Sequence, residues 1–138
     1  SQTIQGYLKD YGYECTEYTF ADSNDIASVV NNAIATSDVL YIPTDNTAAS
    51  NTTIIQNICQ PAGIPIIAGE EGICSGCGVA TLSISYYDLG EMAYEILVNG
   101  ADVSQTAVEF APNVTKKYNA ANCEALGITV PDDYVAIE

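Results

Sequence analysis

Two short polar runs hold the residues best placed to do chemistry. Thr44-Asp45-Asn46-Thr47 follows the apolar run 39–42 and Pro43, and Gly69-Glu70-Glu71-Gly72 follows the apolar run 64–68. Small polar side chains directly after a strand suit a tight loop and a helix N-terminus. In a parallel α/β sheet such loops lie at the carboxyl ends of the strands, the edge where these folds bind ligands. A helix start adds N–H groups without intrahelical partners and the positive end of the helix dipole. The chemistry on offer is ligand recognition. An ordinary capped strand-to-helix turn satisfies the same pattern.

Several other chemistries are excluded by composition. The chain has no His, so the usual general base and the commonest nitrogen metal ligand are both missing. A Ser-His-Asp or Cys-His hydrolase would need its base from another chain. There is no Gly-x-Gly-x-x-Gly run and no Gly-Lys-Ser/Thr sequence, hence no phosphate cradle of the usual kinds. Five cysteines stand at 15, 59, 74, 77 and 123, and Cys74-Ser-Gly-Cys77 is the only close pair. Two thiolates without further ligands leave zinc half coordinated, so no metal and no cofactor are expected. The pair falls in a Gly-rich stretch, 72–78, that reads as a loop. A structural pair is the main reading there, and a disulfide or redox role is the alternative. Cys15, Cys59 and Cys123 fall on apolar faces and read as small core residues. Eighteen Asp and Glu against three Lys and no Arg give a net charge of −15. That charge repels phosphate backbones and anionic lipid surfaces, so nucleic acid is not an expected partner.

The elements that must position the polar runs follow from periodicity. At 138 residues, 48% of them hydrophobic, the chain suffices for one domain with a sizeable core. No apolar run approaches the ~20 residues of a membrane span. No leader is visible, so the chain is expected either to lack one or to be cut from a longer precursor. A first helix is expected over 1–10, closed by Gly12. Alternation predicts a strand over 15–20, and Ile26, Val29, Val30, Ala33 and Ile34 predict a helix ending near Ser37. The strand over 38–42, the first polar loop and a helix from about Thr47 to Gln60 follow. Pro61-Ala62-Gly63 breaks that helix before a strand over 64–68. Further strands are predicted at 79–84 and 107–110, with a helix after Asp88 that Asn99-Gly100 closes. A last helix is placed over 118–126 and an extended tail over 128–138. Alternating helices and strands predict an α/β fold, a mostly parallel sheet with helices on both faces. Both polar loops then share one edge of the sheet, so Thr44, Asp45, Asn46 and Glu70 are expected to lie together there, partly exposed.

Three blocks carry a family resemblance: Tyr41-Ile-Pro-Thr-Asp-Asn46, Ile64-Pro-Ile-Ile-Ala-Gly-Glu70 and Ala80-Thr-Leu-Ser-Ile-Ser-Tyr-Tyr-Asp-Leu-Gly90. In order and spacing they resemble ABC-importer solute-binding proteins of the tryptophan/tyrosine transporter type, and Ala125-Leu-Gly-Ile-Thr-Val-Pro131 resembles that family's C-terminus. The likeness covers nearly the whole chain. It implies two α/β lobes that close over a ligand by hinge bending, of which this chain is the later part. Residues 1–68 with 107–138 then resemble the second lobe, and 69–106 a segment that crosses to the first. The implied function is an extracytoplasmic, non-enzymatic solute-binding component of an ABC importer. Its parent would be a membrane-anchored lipoprotein that delivers an aromatic amino acid to a membrane permease. The implied ligand residues are Thr44, Asp45, Asn46, Glu70, Tyr87 and Asp88. Asp45, with Glu70 as a second candidate, pairs with an ammonium, and Thr44, Asn46 and helix-start N–H groups hold a carboxylate. Tyr41, Tyr86 and Tyr87 are candidate stacking walls, with plain core packing as the alternative. With one lobe mostly absent, little affinity is expected, and apolar surface around 69–106 is left for a homodimer to cover. The helix after Asp88 is about one turn shorter than the family leads one to expect, and the two cysteines at 74 and 77 are no family requirement. A reading from another class is a small flavodoxin-like enzyme or response module. It would need a phosphate cradle or an acidic pocket with a working lysine, whereas Lys116 and Lys117 are followed by a predicted helix.

Overall fold

The computed structural model describes residues 2–102 and 104–137. Helix α1 spans Gln2–Asp10; Ser1, its expected first residue, lies outside the described residues. Helix α2 (Ile26–Ile34) buries Ile26, Val30 and Ala33, one apolar stripe at spacings of four and three. Strand β1 (Leu40–Ile42) stops at Pro43, which has no N–H to give a ladder. The helix expected from Thr47 to Gln60 is two helices, α3 (Asn46–Ala49) and α4 (Thr52–Cys59), split at Ser50-Asn51. Strand β2 (Ile66–Ala68), helix α5 (Glu71–Gly76), strand β3 (Ala80–Ile84) and helix α6 (Tyr86–Val98) follow. Strand β4 (Val114–Tyr118), helix α7 (Ala120–Ala125) and the two-residue strand β5 (Val135–Ala136) end the chain; Glu138, the last residue of the expected tail, is outside the described residues.

The strands form one sheet in the order β1-β2-β3-β4-β5. β1, β2 and β3 run parallel, β4 is antiparallel to β3, and β5 is parallel to β4. The mostly parallel sheet is as the sequence predicts. Register sends Leu40, Ile42, Ile66, Ala68 and Thr81 to one face. The core forms on that face, where Ile26, Ile55, Cys59, Ile66, Ile73 and Cys74 are almost wholly out of water. Fully burying one such isoleucine contributes about 1.5–3 kcal/mol, and truncating Ile55 or Ile73 to alanine costs about 2–5 kcal/mol. The opposite face carries Tyr41, Ile67 and Leu82, all exposed. Helices were expected on both faces; among the described residues the buried core has formed on one. Along the margin of the exposed face, Pro65, Ile67, Ala80, Val130 and Tyr134 line an apolar recess of about 220 Å³. The tail docks there, with Lys116 Nζ 2.5 Å from Asp133 Oδ2 and 5.6 Å from the centre of the Tyr134 ring.

Four expectations need correction. Residues 15–20 form no strand: the alternation is present, but no neighbouring strand completes a ladder. The segment is tied to the end of α2 by a 2.7 Å hydrogen bond between the Tyr18 and Thr36 hydroxyls. Residues 107–110 form no strand either, and Val108 and Phe110 are exposed. The strand of that region is β4, four residues later, and the helix expected from Tyr118 starts only at Ala120. Asn119 sets that start, its Oδ1 accepting the Asn122 N–H at 3.1 Å. The stretch expected to be a Gly-rich loop, 72–78, is largely helix α5. Its glycines are poor helix formers, but its cap and the burial of Ile73 and Cys74 override propensity.

Candidate functional site

Because β1 and β2 are adjacent and parallel, the chain leaves both at the same edge, about 4.8 Å apart. The two exits touch: Gly69 N–H donates to Ile42 O at 2.7 Å, and the Thr44 hydroxyl donates to Gly69 O at 3.4 Å. Thr44, Asp45, Asn46 and Glu70 are thereby brought together, with Thr44 and Asn46 exposed and both carboxylates half-buried. A Cβ on Gly69 would lie 2.7 Å from Thr44 N and 2.9 Å from the Pro43 Cα. Neither is the end of a flexible side chain. Gly69→Ala is therefore expected to push the two loops apart and to cost about 1–3 kcal/mol, read as a lower urea midpoint with an unchanged m-value.

Each carboxylate is also a helix cap. Asp45 Oδ1 accepts the Ala48 N–H at 2.8 Å, which starts α3. Glu70 accepts with both oxygens, from Gly72 N–H at 2.8 Å and from Ile73 N–H, which starts α5. The ordinary capped turn is thus built, and these N–H groups are engaged by the protein's own carboxylates. Capping fixes where the two negative charges point, which a flexible surface acid does not achieve.

Tyr87 and Asp88 stand apart from that group. Ala68, the last residue of β2, pairs with Thr81, and β3 runs on through Ile84. Ser85 therefore lies about 13 Å further along than the Ala68 row. There its Oγ accepts the Asp88 N–H at 3.1 Å and caps α6, leaving Tyr86 and Tyr87 exposed. Tyr41 points to the exposed face of the sheet, again not into a packed core. Two residues at the edge escaped the sequence reading. Glu71, in the first turn of α5, receives a 2.7 Å ion pair from Lys117. Lys117 lies within strand β4, where alternation turns it to the covered face beside Thr81. The usable signal was Lys116-Lys117 itself: adjacent strand residues face opposite ways, so one of the two had to face the core side.

The cysteines lie elsewhere. Cys59, Cys74, Cys77 and Cys123 are buried and Cys15 is half-buried, all as free thiols. Cys74 and Cys77 sit one helical turn apart, in α5 and at its C-cap. Burial pushes the Cys59 thiol up to about 11 and the Cys74 and Cys77 thiols up to about 12. Among the described residues no three Cys, Asp or Glu side chains converge as metal ligands do. No helix there is long and apolar enough to cross a membrane.

Comparison with known proteins agrees with this architecture. Residues 2–137 match the family model for the ABC transporter substrate-binding protein. The chain belongs to that family. A tyrosine-binding protein of Clostridioides difficile is 34% identical over 99 residues, which is 69% of this chain and 29% of the relative. The ligand-free, open structure of a substrate-binding protein with adhesive properties from Clostridium difficile superposes with a TM-score of 0.73 at 31% identity. That match covers 99% of this chain and 49% of the other. A domain from Streptococcus pneumoniae in complex with L-Trp superposes at 0.82 and 26% identity, over 95% of this chain and 45% of the other. A conserved domain protein from Vibrio cholerae, 23% identical with a TM-score of 0.82, shares the fold over 99% of this chain and 50% of its own. The chain therefore spans about half the length of the solved relatives it matches.

Proposed function

We propose that this chain supplies one wall of the ligand cleft in the extracytoplasmic solute-binding component of an ABC importer, and that the solute is an aromatic amino acid. The observation that carries this is the convergence of Thr44, Asp45, Asn46 and Glu70 at the carboxyl edge of a sheet whose relatives include a tyrosine-binding protein and a domain holding L-Trp. Asp45 and Glu70, oriented by their caps, pair with the ammonium of the ligand. The Thr44 hydroxyl and the Asn46 carboxamide hold its carboxylate. Tyr87, with Asp88 beside it, closes over the ring when α6 and its flanks meet the other lobe. Residues 1–68 and 107–138 are assigned to the lobe that carries the site, together with Glu70, α5 and β3, which share its sheet, and the rest of 69–106 to the crossing segment. The partner is a membrane permease, the intact protein is held at the membrane as a lipoprotein, and no reaction is assigned to it.

Asp45→Asn separates capping from charge. Asparagine caps a helix about as well as aspartate, so α3 should persist while the ammonium loses its counter-charge. In an NMR titration of the chain with millimolar L-tryptophan, wild type is expected to shift the amides of 44–47 and 69–72. Asp45→Asn should weaken that response about fivefold, since a solvent-exposed ion pair contributes up to ~1 kcal/mol. Equal titration curves for the two proteins would remove Asp45 from the site.

A further inference from the structure

Helix α5 has six residues, two of them glycine, and cannot stand alone. It is gripped at both ends from a single distant segment. At its first turn, Lys117 Nζ lies 2.7 Å from Glu71 Oε2, both side chains largely covered at 28% and 37% exposure. At its last turn, Asn119 Nδ2 donates to Ser75 O at 2.9 Å and to Cys74 O at 3.3 Å. Cys74 O already accepts the Gly78 N–H at 3.0 Å, whereas Ser75 lies in the last turn of the helix, where carbonyls have no intrahelical donor, and there the carboxamide supplies what the end of the helix lacks. The spacing fits. Residues 117 and 119 are two steps along extended chain, about 6.7 Å, and point the same way. Residues 71 and 75 are four steps along a helix, about 6 Å. The end of β4 thus lies along α5 like a splint. Asn119 is held in turn, because its Oδ1 caps α7.

The splint matters because Glu70 has no independent position. Both its oxygens are bound by the N–H groups of Gly72 and Ile73, so its carboxylate goes where the first turn of α5 goes. Lys117 also neutralises Glu71, which leaves Asp45 and Glu70 as the negative charges of the edge with no ion pair among the described residues. We infer that Lys117 and Asn119 are positioning residues that hold the Glu70 carboxylate toward the ligand and keep a single cation-seeking pair at the site. The ligand role of Glu70 in this statement rests on the function proposed above.

Amide hydrogen exchange tests the splint without any ligand. In the 138-residue chain, Lys117→Met and Asn119→Ala are expected to speed exchange at Gly72 and Ile73 about tenfold. The Ala48 amide, capped by Asp45 on another helix, should stay at its wild-type rate. Lys117→Arg keeps the charge and the reach and should restore protection. A global loss of stability would raise Ala48 along with Gly72 and Ile73, and that result, or unchanged rates at all three, would overturn the inference. Should Lys117→Met fail to fold, Asn119→Ala and Lys117→Arg still decide it. A second arm titrates the same variants with L-tryptophan. Loosened Gly72 and Ile73 amides with a wild-type titration curve would keep the splint and remove Glu70 from the ligand site.

Discussion

Above pH 9 this protein is expected to lose stability steeply. The cause is the set of buried thiols. Cys59, Cys74 and Cys77 titrate near 9.0 when unfolded, and burial raises them to about 11, 12 and 12 in the fold. A raised native value means the folded state keeps its proton while the unfolded state gives it up. The stability this represents is whole below pH 9 and is lost as pH rises toward 11 and 12. Each such group contributes about 1.4 kcal/mol per pH unit in that window. Three together give a slope of about 4 kcal/mol per unit, enough to exhaust the ~5–15 kcal/mol of an ordinary domain within a few units. Urea midpoints followed by far-UV circular dichroism from neutral pH upward should be flat to about 9 and then fall. Cys77→Ala should remove about a third of the slope. A midpoint that holds steady through pH 11 would show that the thiols ionise in place.

The second large effect is in binding. On the function proposed above, the ligand cleft has two walls and this chain supplies one of them. Asp45 is half-buried and Thr44 and Asn46 are exposed, so a ligand seated here stays in contact with water. Charge pairs that are strong in a closed, dry cleft weaken in that setting. Losing ~4 kcal/mol of contact weakens binding roughly a thousandfold. A two-lobed relative with micromolar affinity therefore corresponds to a millimolar constant for these 138 residues. Calorimetry should show no saturable heat with L-tryptophan, L-tyrosine or L-phenylalanine at micromolar concentration. Micromolar binding by the monomer would mean that one wall suffices and that the second lobe adds little.

What could be read ahead of the structure divides along physical lines. β1 and β2 were legible because short apolar runs ended by Pro43 and by Gly69-Glu70 leave few alternatives, and once both are parallel neighbours the shared edge follows. α2 was legible because its stripe at 26, 30 and 33 is set by the helix period alone. The misses lie where the deciding contact is distant in sequence. α5 depends on two hydrogen bonds to Glu70 and on β4 more than forty residues on, and its own glycines argue against it. β4 carries Thr115, Lys116 and Lys117, too polar to read as a strand until the β3 ladder claims it. Residues 15–20 show the reverse failure: the alternation is there and the partner strand is not. At the site, Thr44, Asp45, Asn46 and Glu70 come together because topology fixes loop ends. Tyr87 and Asp88 stand off because β3 outruns β2, a matter of register that composition does not encode.

The covalent link between β3 and β4 runs only through residues 85–113, and α6 within it buries no side chain. The aromatic residues that chymotrypsin cuts, Tyr86, Tyr87, Tyr94 and Phe110, stand exposed in that stretch. What joins the two sides in the fold is instead the five-residue antiparallel ladder, Ala80 to Tyr118 through Ile84 to Val114, with the Lys117–Glu71 and Asn119–Ser75 contacts beside it. A nick in the link breaks the chain but none of these. The molecule is in effect already a complementing pair: an amino-terminal piece bearing the polar edge and a carboxy-terminal piece of β4, α7 and β5 that splints it. The bridge between them is free to change in length and sequence at little expense to the sheet it spans.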